Sequence, residues 1–160
     1  MNMIQKAKEQ VQELTKQAYA AAVKEGLLPE GVTIEPSVEI PKDVSNGDYT
    51  TTFCLAAAKA MKMNPRQMAA ILKERMALEG SYFTTVEIAG PGFMNFRLGD
   101  KWFGDTVAAI EAAGADYGCS DMLKGRRIMV EFVSANPTGP MHMGNARGGV
   151  LGDTLASVLQ

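Results

Sequence analysis

The stretch Glu131–Asp153, EFVSANPTGPMHMGNARGGVLGD, limits what this chain can fold into more than any other. Ile128, Val130 and Phe132 alternate as they would along a strand. The Pro/Gly run Asn136-Pro137-Thr138-Gly139-Pro140 then calls for a loop. The chain's only histidine, His142, follows, just before a segment with a helical pattern. Strand, tight loop and helix start in that order bring free backbone N–H groups and the positive end of a helix dipole to one place. An anion can bind there.

The remainder of the sequence supports a globular protein. Of the 160 residues 46% are apolar, enough for a core, and the formal net charge of −2 gives no global basic field. A local patch can still meet a nucleic acid. No apolar run is long enough to span a membrane, and the polar N-terminus does not read as a signal peptide. Cys54 and Cys119 are far apart and read as idle thiols in a reducing compartment. One histidine and two scattered cysteines argue against a zinc site, and no metal site is expected.

Ile4, Ala7, Val11, Leu14, Ala18 and Ala22 recur at helical spacing, so a helix is expected over 3–25, stopped by Gly26. Ser37–Ile40 suits a short strand ended by Pro41. An Ala-rich helix is expected from about Tyr49 to Met63, with Asp48 as N-cap. Asn64-Pro65-Arg66-Gln67 reads as another helix start, with Asn as N-cap and Pro at the first helical position, and that helix should reach Glu79. Phe83–Ala89 and Phe93–Leu98 read as strands joined by Gly90-Pro91-Gly92. A further helix, about Asp100 to Ala113, leads to an irregular linker. The expected fold class is α+β. Residues 1–115 form a domain with a small antiparallel sheet packed on helices, residues 116–127 a linker, and residues 128–160 the first strand and helix of a second, truncated unit. One strand and one helix cannot cover a parallel sheet, so the chain reads as the N-terminal piece of a longer protein.

Two common nucleotide motifs do not fit the loop. Gly139 and Gly144 have the spacing of a phosphate-binding Walker loop, but Asn145-Ala146 follow instead of Lys-Ser/Thr. Gly144, Gly148, Gly149 and Gly152 do not make the dinucleotide pattern either. The segment His142-Met-Gly-Asn145 resembles instead the His-x-Gly-His signature of class I aminoacyl-tRNA synthetases. The longer string Glu131–Pro140 resembles the bacterial arginyl-tRNA synthetases in particular. So do Gly47-Asp48-Tyr49 and Gly90-Pro91-Gly92-Phe93-Met94-Asn95-Phe96 upstream, and the resemblance covers most of the chain.

This resemblance implies an ATP-dependent ligase that activates arginine as the adenylate and transfers it to tRNA(Arg). ATP, with Mg2+, is then a substrate, and no tightly bound cofactor is implied. It also implies a monomeric, cytoplasmic enzyme of protein synthesis, without a membrane partner. The arginine carboxylate attacks the α-phosphate and pyrophosphate leaves. No enzyme nucleophile is needed, so positioning and charge stabilisation carry the chemistry. His142 is implied to contact the ATP phosphates, and Gly144 to let the nucleotide approach the backbone. Asn145 replaces the second signature histidine and keeps a donor without a charge. A histidine ahead of a helix, taken alone, reads as structural; the surrounding string reverses that weighting. Glu131 is implied to hold the arginine guanidinium, with Asn136 and Ser134 in the same pocket. Pairing of Glu131 with Arg127 is the plain alternative. The family also implies that activation requires bound tRNA, and that these 160 residues alone are inactive.

On Phe93–Leu98, alternation puts Met94, Phe96 and Leu98 on a core face and Phe93, Asn95 and Arg97 on a solvent face. A ring, an amide and a guanidinium in a row suit stacking, edge reading and phosphate contact with one RNA base. An ordinary exposed face is the competing reading of the pattern. The resemblance implies that this domain contacts the tRNA elbow, with Phe93 and Asn95 on a D-loop base. Two other functions compete: a stand-alone RNA-binding module, which has no need of residues 128–160, and a small His-x-Gly-His nucleotidyltransferase, which should carry its signature near the start of a complete Rossmann unit.

Overall fold

The structure is a computed structural model that describes residues 2–31 and 34–159. It divides into two compact units, Met1–Cys119 and Ser120–Gln160, a break that falls within the expected linker.

The first unit opens with α1 (Met3–Lys24). Asn2 caps it, its side chain accepting from the N–H groups of Ile4 and Gln5 at 3.0 and 3.1 Å. Met3, Ala7, Val11, Leu14, Ala18 and Ala22 form the buried stripe. Met3 therefore takes the place expected for Ile4, which is exposed. After β1 (Val38–Glu39) the sequence reading needs correction, because Tyr49–Thr51 is a strand, β2, and not the start of a helix. β-branched and aromatic residues favour this. The Ala-rich helix α2 is shorter (Phe53–Met61) and starts from Thr52. Asp48 caps no helix; its carboxylate accepts the backbone N–H of Leu98 at 2.8 Å.

Helix α3 (Pro65–Lys73) starts from Asn64 as the sequence indicates, but stops six residues short of Glu79. Arg75 explains the stop. Its guanidinium donates to the Ile71 carbonyl at 2.8 Å, satisfying one of the last open acceptors, and forms an ion pair with Glu25 at 2.7 Å. Strands β3 (Phe83–Ala89) and β4 (Phe93–Leu98) have the predicted bounds and pair antiparallel. Gly92, with φ of 145°, turns the chain between them where a Cβ would lie 2.9 Å from the Pro65 backbone, so only glycine fits. The sheet runs β1-β2-β4-β3, all antiparallel, and α1, α2 and α3 pack on one face of it. Tyr49, Phe83, Val86, Met94 and Phe96 line that face of the core. Helix α4 (Asp100–Ala113) buries none of its residues fully and is held through Trp102, whose indole N–H donates to the Met3 carbonyl at 3.2 Å.

The second unit departs from the sequence reading. Residues 128–133 form neither a helix nor a strand ladder among the described residues, so the strand expected to open the second unit is absent as a strand. A strand is completed by a partner's hydrogen bonds, and none is present here. The segment lies instead on α5 (Met143–Val158). Gly152 is the only buried residue of that helix among the described residues, and a Cβ there would come within 2.2 Å of Phe132. Val150, Leu151, Leu155 and Val158 stay exposed.

Candidate functional site

Each unit carries one candidate surface. In the second unit the signature residues gather at the start of α5. His142 is the N-cap: its Nδ1 accepts the Gly144 N–H at 3.1 Å, and its own backbone N–H donates to Asn145 Oδ1 at 3.2 Å. This is a reciprocal capping box, with imidazole and amide in the roles usually taken by a hydroxyl and a carboxylate. Because Nδ1 accepts, the neutral ring carries its proton on Nε2, which is left as a donor. Asn145 uses its carbonyl oxygen in the box, and its amide NH2 stays available. A Cβ on Gly144 would lie 3.0 Å from the imidazole, so this glycine makes room for the ring.

Glu131 and Ser134 meet through a 2.7 Å hydrogen bond from Ser134 Oγ to Glu131 Oε1. Val133 between them has φ of 57°, a conformation strained for a β-branched residue, and this bend brings Ser134 back towards the carboxylate. Glu131 lies in the segment expected as the opening strand of the second unit. It is exposed, since no neighbouring strand covers it, and among the described residues it makes no ion pair with Arg127 or any other cation. Ser134, Asn136, Thr138, His142 and Asn145 line a hollow of about 310 Å³. A second hollow, about 390 Å³, lies between Glu131, Gly144, Gly148 and Leu155 and is also bordered by Ser134 and Asn145. The six residues singled out for ATP and arginine thus border two adjoining hollows, one at the helix N-terminus and one at a carboxylate. Among the described residues no group of three His, Cys, Asp or Glu side chains is placed to hold a metal ion.

In the first unit, register defines the outer face of the sheet. Asn95 stands opposite Thr50 on β2 and Glu87 on β3; Phe93 stands opposite Ala89, and Arg97 opposite Thr85. The expectation of an exposed row holds only in part. Phe93 and Arg97 are half-buried, and Asn95 is only 6% exposed. A short side chain in a central strand is overshadowed by neighbours on both sides. One Arg97 nitrogen donates to the Ser45 carbonyl at 2.8 Å, so part of the guanidinium is already used. The Asn95 amide makes no hydrogen bond to the described residues, and the neighbouring Thr50 Oγ1 is sealed from solvent without a partner. A polar atom sealed at the centre of a sheet without a partner is unusual, and among the described residues only Thr50 Oγ1 is in that state. Sequence reasoning did not find Thr50 and Glu87, because only the cross-strand register brings them to this face.

Known proteins show what the chain is similar to. The family described as "Arginyl tRNA synthetase N terminal domain" matches residues 4–98. The arginine–tRNA ligase of Acetivibrio thermocellus is 46% identical over 159 residues, covering 99% of this chain and 28% of that protein. That of Caldanaerobacter subterraneus subsp. tengcongensis is 47% identical over 158 residues, again 99% of this chain and 28% of the relative. The chain therefore spans little more than a quarter of the length of these curated relatives. The crystal structure of arginyl-tRNA synthetase from Plasmodium falciparum has a TM-score of 0.59 over 92% of this chain and 27% of its own, at 12% identity, a likeness of fold alone. The chain belongs to the arginyl-tRNA synthetase family and carries that family's N-terminal domain.

Proposed function

We propose that this chain serves in the ATP-dependent attachment of arginine to tRNA(Arg), its first unit binding the tRNA elbow and its second supplying the first ATP and arginine contacts. The observation that carries this reading is the start of α5, where His142, Gly144 and Asn145 form an anion-ready helix N-terminus beside the Glu131–Ser134 pair. His142 offers its Nε2–H to phosphate oxygens as they gain charge, and the Asn145 amide NH2 offers a neutral donor beside it. ATP enters as its magnesium complex. Glu131, held in place by Ser134, takes the guanidinium through paired N–H···O bonds, and Asn136 meets the amino-acid end of the substrate. Phe93 stacks on a D-loop base, Asn95 reads its edge and Arg97 meets phosphate. The second unit is read as the opening of a class I catalytic domain, and the enzyme as a cytoplasmic monomer. Alone, the 160 residues are expected to give no arginine-dependent ATP–pyrophosphate exchange.

The test is Glu131→Gln in a full-length synthetase bearing these residues, with arginine and ATP titrated separately. Arginine binding should weaken by about 1.5–3 kcal/mol, the worth of a charge-assisted hydrogen bond, with ATP binding little changed. Equal losses for both, or an unchanged arginine affinity, would refute the assignment of Glu131.

A further inference from the structure

Arg66 sits at the wrong end of a helix. It is the second residue of α3, by the positive end of the helix dipole, where a cation is unfavourable, and the first turn holds no acidic residue. It is exposed, and among the described residues it makes no ion pair. Its guanidinium is nevertheless tied down, because Nη1 donates to the Gly90 carbonyl at 2.9 Å. Gly90 opens the turn between β3 and β4 with φ of 51°, and Gly92 closes it with φ of 145°. Glycines at both ends of Gly90-Pro91-Gly92 leave such a turn many conformations. Specific contacts restrict it. The Gly92 N–H donates to the Ala89 carbonyl at 3.2 Å, Gly92 lies against the Pro65 backbone, and Arg66 holds Gly90. The Phe93 ring rests on the same spot. Its Cδ2 lies 3.7 Å from where a Cβ on Gly90 would be, so one ring edge packs over the Gly90 backbone.

We infer that Arg66 is a positioning residue for the Phe93 ring: by pinning Gly90 it fixes the surface on which the ring edge rests and holds the ring ready to stack. This rests on the reading of Phe93 as a base-stacking side chain. Arg66 reaches the turn from α3, which packs on the face of the sheet opposite to the Phe93 row. It therefore acts through Gly90 and touches no base. A half-buried ring beside an unpinned glycine turn has torsional freedom to lose when a base lands on it. A turn fixed beforehand gives up that freedom on folding and not on binding, so the stack keeps more of its worth. The Gly90 carbonyl needs only a donor, so an ammonium of similar reach can replace the guanidinium.

The experiment is a double-mutant cycle on the 160-residue chain binding a tRNA(Arg) transcript, with Arg66→Met, Arg66→Lys and Phe93→Ala, over a range of salt. Arg66→Met keeps an aliphatic stem and loses the donors. It should weaken binding about three- to tenfold, the cost of ordering the ring and its support at the moment of binding. Arg66→Lys should recover most of that affinity. In the Phe93→Ala background Arg66→Met should change affinity by less than about twofold, because the ring it acts through is gone. The salt slope should stay nearly the same, since no phosphate contact is removed. If Arg66→Met weakens binding equally with and without the Phe93 ring, and lowers the salt slope by about one, Arg66 is a phosphate contact in its own right and the inference is overturned. An unchanged affinity overturns it too. So does a thermal melt in which Arg66→Met no longer folds like the wild type, which makes the residue structural. In each of these cases a loss on Phe93→Ala leaves the base-reading proposal standing. If no transcript binds, or Phe93→Ala has no effect, the face is not a base reader and the inference falls with it.

Discussion

Replacing Gly152 with alanine tests how the second unit is held together, because two physical effects predict opposite signs. Inside a helix, Gly→Ala stabilises by about 0.8–1 kcal/mol through backbone entropy. Gly148, one turn earlier, has open space where a Cβ would go, so Gly148→Ala should show that gain in full. At Gly152 the new Cβ would lie 2.2 Å from Cβ and Cγ of Phe132, well inside the 3.5–4.0 Å of an optimal carbon contact. Both atoms sit close to the backbone, so no rotation of the ring relieves the clash. The segment that carries Phe132 must move off the helix, with a cost typical of overpacking, about 1–3 kcal/mol, which outweighs the helix gain. Amide exchange along α5 in the 160-residue chain is the assay. Gly148→Ala should slow exchange there and Gly152→Ala should speed it. Gly152→Ala combined with Phe132→Gly, which removes both clashing atoms, should give back part of the helix gain. If both single alanines slow exchange equally, Phe132 does not pack on Gly152 and the account of this unit is wrong.

Three further outcomes follow from the first unit and from the candidate base reader. Burial pushes the Cys54 thiol up to about 12, so at pH 8 only about one molecule in ten thousand carries its thiolate, and it packs 3.6 Å from the Met94 sulfur; a thiol reagent on the folded chain should label the exposed Cys119 alone, and equal labelling of both would contradict the core described here. Asp48→Ala leaves the Leu98 N–H without its acceptor and should lower stability by about 1 kcal/mol in a denaturant melt, whereas no change would mean that the bond is not formed in solution. Phe93→Ala should reduce tRNA affinity by roughly 1–3 kcal/mol with little change in the melt, since the ring is only half-buried; a large loss of stability would place Phe93 in the core instead.

Where local signals decide, the sequence was informative. Asn64-Pro65 marked a helix start that the structure has, the Gly90-Pro91-Gly92 turn set the ends of β3 and β4, and the spacing from Ala7 to Ala22 identified the buried side of α1. Failures came where a distant partner decides. Tyr49–Thr51 looks like the start of an Ala-rich helix until β4 is there to pair with it. Residues 128–133 have a strand's alternation, but among the described residues no strand pairs with them. Arg75 ends α3 by reaching Glu25, 50 residues away. For the candidate sites, the string Glu131–Asn145 named the residues, while the His142–Asn145 box needed helix geometry to be seen. Asn95 was expected to be exposed and is buried, because alternation assigns a side chain to a face but says nothing of how its neighbours overshadow it.

The central claim is that these residues serve the charging of tRNA with arginine. The most direct measurement is aminoacylation by a full-length synthetase bearing this sequence, with tRNA(Arg) transcript, ATP and each amino acid in turn. Arginine alone should be attached, and His142→Ala should slow its attachment without changing which amino acid is chosen. Failure to form arginyl-tRNA, or charging with another amino acid in preference, would contradict the account.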